Sequence, residues 1–148
     1  MGIKELLNLS DEEVKKPMPK PSKWSKPFWD AAKQHRLVLK RCKDCGRIDH
    51  PPYLYCTNCQ SDNSEWVAAQ GKAKLYAYAI NEYMVPFPFW DDMPYVVAMV
   101  DLPEGVRMIS NIIECDKDKL KNGMELEVVF DDVSPEFTLP KWRPAGRK

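Results

Sequence analysis

From residue 71 onward the chain alternates apolar and polar side chains with the period of β-strands. GKAKLYAYAINEY (71–83) sets Leu75, Ala77 and Ala79 against Tyr76, Tyr78 and Ile80, as a strand covered on both faces would. YVVAMVDL (95–102) predicts a buried strand, which Pro103, Glu104 and Gly105 turn into VRMISNIIE (106–114). A polar connection, CDKDKLKNG (115–123), ends at a glycine, and MELEVVF (124–130) then alternates cleanly. In FTLPKWRPAGRK two prolines limit any strand to a short edge piece, because proline cannot donate to a ladder. Short strands separated by turn signals predict a small closed or nearly closed barrel.

The N-terminal part reads differently. Ser10-Asp-Glu-Glu13 forms a capping box, but Pro17, Pro19 and Pro21 leave room for only a short helix behind it. A longer helix is predicted from Ser25, its N-cap, to His35, with Pro27 in the first turn and Phe28, Trp29, Ala32 and Leu37 as a partly apolar stripe. The adjacent aromatics Phe28 and Trp29 predict packing onto a partner or onto the segment that follows. The residues from 37 to 40 turn β-like and lead into Cys42. The expected organisation is mainly β: a helical segment over 1–36, a cysteine module over 37–68, and a barrel with a C-terminal extension over 69–148.

A chain of 148 residues bounds this to one compact domain or a module on a slightly larger one. Lys plus Arg and Asp plus Glu number 22 each, which argues against a dedicated nucleic-acid binder with its basic surplus. The apolar runs stop well short of the roughly 18 residues a membrane span needs. MGIKELLNLSDEEVKK is too acidic for a secretory signal, and Leu6 stands where a myristoylation pattern wants Ser or Thr. A cytoplasmic protein with no membrane or nucleic-acid partner is expected. In a reducing compartment its five cysteines are metal or redox groups rather than a disulfide framework.

Four of them form two CxxC pairs, Cys42 with Cys45 and Cys56 with Cys59. Each pair bends into a knuckle, and two knuckles make a tetrahedral S4 site that selects zinc or a single iron. Two redox pairs so close together would compete for one metal. Four thiolates leave no open position for substrate and make the metal a poor Lewis acid, so its role is structural. Lys40, Arg41, Lys43 and Arg47 lie nearby and would offset the charge, while His50 reads as an exposed loop histidine rather than a ligand.

No catalytic set is expected. The remaining cysteine, Cys115, is flanked by acids that disfavour its thiolate, and only His35 and His50 could move protons. Asp91-Asp92 and Asp131-Asp132 read as solvated turn carboxylates. Lys72, Lys74, Arg107, Lys141 and Arg143 are the cations that could meet a phosphate, with solubilising charge as the plainer role.

FWDAAKQHRLVLKRCKDCGRIDHPPYLYCTNCQSDNSEWVAAQGKAKLYAYAI, PYVVAMVDLPEGVRMISNIIE, NGMELEVVF and TLPKWRP together resemble the zinc-ribbon/OB-fold proteins associated with acyl-CoA enzymes. The likeness runs from about residue 28 to about residue 145. It implies a rubredoxin-like ribbon with zinc on Cys42, Cys45, Cys56 and Cys59, followed by an OB-fold barrel. It also implies a thiolase-like subunit as hetero-oligomeric partner. The chain would then be a non-catalytic accessory subunit that stabilises that partner or helps form its acyl-CoA site.

The chain departs from the family pattern after the ribbon, where the loop from Met84 to Pro94 is rich in aromatics. Phe87, Phe89 and Trp90, with Trp29 and Arg143, are the residues expected to meet the partner or acyl-CoA. An aromatic loop suits an aromatic acyl group. In this it is similar to the small subunit of the thiolase that cleaves 2-benzoylsuccinyl-CoA to benzoyl-CoA and succinyl-CoA in anaerobic toluene degradation. Two other readings stand beside this one: a single-stranded nucleic-acid-binding ribbon and OB-fold, and an iron-bearing electron carrier.

Overall fold

The computed structural model describes residues 2–83 and 85–146. The N-terminal arm carries one helical turn, α1 (Ile3–Leu6), and an extended stretch that leads to α2 (Lys26–Lys33). The capping box forms: the Ser10 amide donates to Glu13 Oε2 at 2.8 Å, and the Glu13 amide donates to Ser10 Oγ at 3.3 Å. It closes a turn over residues 11–14 rather than a helix, because the prolines follow at once. Ser25 occupies the N-cap of α2 but does not cap it with its side chain. Instead Ser22 and Ser25 bond each other's amides through their hydroxyls, at 2.9 and 3.2 Å, which fixes how the extended chain enters the helix.

Three strands form the ribbon sheet in the order β2 (Ile48–Asp49), β1 (Val38–Cys42), β3 (Ser64–Ala68). Five more close a barrel in the order β4 (Lys72–Asn81), β5 (Tyr95–Asp101), β6 (Arg107–Ile112), β8 (Thr138–Pro144), β7 (Glu125–Asp132). β4 serves both sides of the closure: Lys72, Ala73 and Lys74 pair with β7, and the strand pairs with β5 along its remaining length. A bulge between Leu75 and Ala77 supplies the bend this requires. Gly71 precedes the strand at φ +76°, where a Cβ would stand 3.0 Å from Val128 Cγ1, so a side chain there would be strained and crowded.

The edge piece expected at the C-terminus is instead a seven-residue strand that completes the barrel. It runs antiparallel to β7 along its whole length and meets β6 in parallel at one point, Ile112 to Trp142. The Pro140 and Trp142 carbonyls accept from Ser110 Oγ and the Ile113 amide, each at 2.8 Å, so they point toward β6. A strand residue's nitrogen points the same way as its carbonyl. The donors missing at Pro140 and Pro144 therefore fall on the sparsely bridged side, and the β7 ladder is intact.

Trp142, Leu39, Leu75, Leu126 and Val100 are the largest fully buried side chains. One continuous apolar cluster runs from Phe28 of α2 through Leu37 and Leu39 into the barrel interior. Each such side chain contributes about 1.5–3 kcal/mol by leaving water. Ala31 and Ala32 are buried, and their small size lets α2 lie close on β1 and β8. Helix, ribbon and barrel thus share one core.

Candidate functional site

The two knuckles repeat the same backbone chemistry. The Gly46 amide donates to the Cys42 carbonyl at 2.9 Å, and the Gln60 amide donates to the Cys56 carbonyl at 3.0 Å. The Cys42 amide donates to the Arg47 carbonyl, and the Cys56 amide to the Ser61 carbonyl, both at 2.8 Å. Gly46 and Gln60 occupy equivalent left-handed positions, φ +80° and +62°, and only the first is a glycine. Asp44 links the two knuckles by accepting from the Ser61 hydroxyl and, at 3.2 Å, from Asn63 Nδ2.

This geometry gathers all four sulfurs within 4.8 Å of one another. Cys42 and Cys59 are 3.5 Å apart, as are Cys45 and Cys56. A tetrahedron of sulfurs at the usual zinc–sulfur distance of about 2.3 Å has edges of about 3.8 Å, so the residues fit a zinc ion. The charge argument agrees. The Ser61 amide favours the Cys59 thiolate, yet contact with Cys42, burial, and the Cys45 and Cys56 sulfurs push this thiol up to about 12. Four sulfurs this close hold their charge only around a cation. The Arg47 amide and Asn58 pull the Cys45 thiol the other way. Among the described residues no other group of three His, Cys, Asp or Glu side chains could hold a metal.

The surrounding cations have partners of their own. Arg41 pairs with Glu65 and Arg47 with Asp49, while Lys40 donates to the Tyr53 carbonyl. Arg47 still feels the Cys45 and Cys56 sulfurs, although Asp49 is the main cause of its raised pKa. His50 is not the exposed histidine the sequence suggested. Its ring packs 5.3 Å from the Phe28 ring, and burial lowers its pKa to about 4. The adjacent aromatic of α2 shields it, which a reading of the loop alone misses.

His50 also lines a cavity of about 430 Å³ where α2, the ribbon and the barrel meet. Trp29, Pro51, Ile109, Asn111 and Lys141 are among its walls. These residues come from four separate stretches of chain, so no local motif announced them. Lys72 and Lys74 line a different cleft of about 820 Å³ together with Glu125 and Glu127.

Of the residues expected to meet a partner or acyl-CoA, the structure brings three together. Phe87, Phe89 and Trp90 lie in a 3-10 turn, Phe87–Asp92, between β4 and β5. Phe87 and Trp90 are 4.9 Å apart, Phe89 stands 5.4 Å from Tyr95, and Trp90 Nε1 donates to the Val85 carbonyl at 3.0 Å. Trp29 is elsewhere, edge-on to Phe137 at 5.9 Å. Arg143 lies on β8, paired with Glu127 at 2.8 Å and Glu114 at 3.1 Å. Lys141 pairs with Asp131 and Arg107 with Asp101 at 2.6 Å each, and Asp132 receives His35. The Cys115 thiol donates to the Asp116 carbonyl.

Comparison with known proteins assigns residues 29–65 to the rubredoxin-like zinc ribbon domain of ChsH2 and residues 66–131 to the ChsH2 C-terminal OB-fold domain. A DUF35 domain-containing scaffold protein of Methanothermobacter thermautotrophicus is 34% identical over 104 residues, 70% of this chain and 77% of that protein. The chain belongs to the ChsH2-type zinc-ribbon/OB-fold family. Its zinc is structural, because a ribbon of this family and a closed set of four sulfurs coincide.

Other relatives carry further names. A probable enoyl-CoA hydratase alpha subunit of Thermomonospora curvata is 41% identical over 119 residues, 80% of this chain but only 37% of that subunit. This chain therefore spans little more than a third of that relative. A benzoylsuccinyl-CoA thiolase subunit, BbsA, of Geobacter metallireducens is 30% identical over 96 residues, 63% of this chain and 60% of that one. A solved structure described as an Ltp2-ChsH2(DUF35) aldolase contains a chain with TM-score 0.79 and 38% identity to this one, covering 86% of this chain and 99% of that one. Among the described residues no helix is long and apolar enough to cross a membrane.

Proposed function

We propose that this chain is a non-catalytic accessory subunit of an acyl-CoA-processing complex in the cytoplasm, with a thiolase-like subunit as its partner. The observation that carries the reading is the likeness to a benzoylsuccinyl-CoA thiolase subunit, 30% identical over 96 residues, beside a 41% identical relative named as a probable enoyl-CoA hydratase alpha subunit. In this role Cys42, Cys45, Cys56 and Cys59 hold the zinc that fixes the ribbon. The ribbon in turn holds α2 and the loop 50–52 against the barrel. Reaction chemistry belongs to the partner, because four sulfurs leave the metal no position for substrate.

The thioester is narrowed by the likeness to a benzoylsuccinyl-CoA thiolase subunit, which supports an aromatic β-ketoacyl-CoA such as 2-benzoylsuccinyl-CoA. A nucleic-acid-binding role has less support, since Arg107, Lys141 and Arg143 are each held by carboxylates rather than arrayed along a groove.

Co-expression with a thiolase-like subunit encoded beside this chain tests the proposal. A hetero-oligomer that survives size exclusion, with one zinc per copy of this chain, is the result expected. Separate elution of two folded proteins would remove the reading.

A further inference from the structure

The aromatic turn between β4 and β5 is covered by the chain's own N-terminal arm. Lys16 Nζ reaches Asp92 Oδ2 at 2.5 Å and lies 5.4 Å from the Phe89 ring centroid. The start of the arm lies on the same turn, where a Cβ at Gly2 would stand 3.0 Å from Asp91 Oδ2. Within the arm, Lys4 pairs with Asp11, the Leu9 amide donates to the Lys4 carbonyl at 2.8 Å, and Ser10 pairs with Glu13. The arm is thus folded on itself, with Lys16 on Asp92 and Gly2 beside Asp91 joining it to the turn.

The Lys16–Asp92 pair is weak by construction. Both partners of the Lys16–Asp92 pair are more than a third exposed, so solvent and salt screen it. The prolines at 17, 19 and 21 keep the following stretch extended and stop any helix from anchoring the arm. In the same turn Trp90 is 39% exposed and packs at a tilt on Phe87, while Phe89, under the Lys16 ammonium, packs on Tyr95. The turn 86–93 holds two carboxylates beside three aromatics and contains no cation of its own.

We propose that the arm is a displaceable strap and that the turn 86–93 is a docking face, on which a partner protein places a lysine or arginine set among apolar side chains where Lys16 now sits. Charge complementarity and the cation–π contact define what the site accepts, and the arm is the occupant held in cis. This inference does not depend on the accessory-subunit reading, and its test uses the isolated full-length chain.

Hydrogen exchange at the Phe89 and Met93 amides, which are bonded within the turn, reports its cover. Lys16→Glu should speed exchange there by about 3- to 10-fold, leaving the β5 amides unchanged. Asp92→Lys should do the same, and the double variant Lys16→Glu/Asp92→Lys should recover part of the wild-type protection, because the swap restores the ion pair without the cation–π contact to Phe89. A synthetic peptide of residues 9–20 should bind Lys16→Glu and slow exchange in the turn, and should fail to bind Asp92→Lys. Unchanged exchange in Lys16→Glu, or no recovery in the double variant, would overturn the strap. A peptide that binds neither variant, or both equally, would overturn the docking face.

Discussion

The Phe28 ring stands 5.3 Å from the imidazole of His50 and tilts 52° to it, joining α2 to the ribbon loop. This contact buries a titratable ring in the seam between the chain's parts and gives stability a pH dependence.

Burial lowers the His50 pKa from 6.5 to about 4, so the folded chain keeps the ring neutral where the unfolded chain protonates it. Above pH 6.5 both states are neutral and the stability is fully present. As pH falls from 6.5 to 4 the unfolded state takes up the extra proton, and about 3 kcal/mol is lost. Denaturant midpoints at several pH values check this against His50→Gln, which cannot titrate. The wild type should lose more stability over this window than the variant; parallel profiles would contradict the burial.

Trp142 is wholly buried in the barrel, and its Nε1 finds no acceptor among the described residues. Trp142→Ala should therefore cost about 3–5 kcal/mol through the cavity it leaves. Trp142→Phe should cost clearly less, because no hydrogen bond is lost. Equal losses in equilibrium unfolding would mean that the indole N–H is bonded.

Cys42→Ser or Cys56→Ser should lose zinc by elemental analysis. Each should also lower the unfolding temperature of the whole chain, since Leu37 and Leu39 lead from the ribbon into the shared core. Cys115→Ser should keep its full complement of zinc. Iron in the site, or full zinc in Cys42→Ser, would contradict the assignment.

Much of this was legible in the sequence for local reasons. The alternation in 71–83 and 124–130 marks β4 and β7, and the CxxC spacing brings the four sulfurs together. What failed was non-local. Pro140 looks like a strand breaker until β8 is seen to turn its missing donor toward β6. His50 looks exposed until Phe28, distant in sequence, is laid against it. Lys16 carries no signal of its contact with a turn 76 residues away. The cavity beside Trp29 depends on four segments meeting, which no periodicity encodes.

The decisive measurement is thiolytic cleavage of a β-ketoacyl-CoA by free CoA, with this chain alone, with a thiolase-like subunit alone and with the two copurified together. The zinc-loaded chain alone should give no turnover, and the complex should react faster than the thiolase-like subunit by itself. Turnover by this chain alone, or a fully active subunit whose rate the chain leaves unchanged, would contradict the accessory-subunit reading.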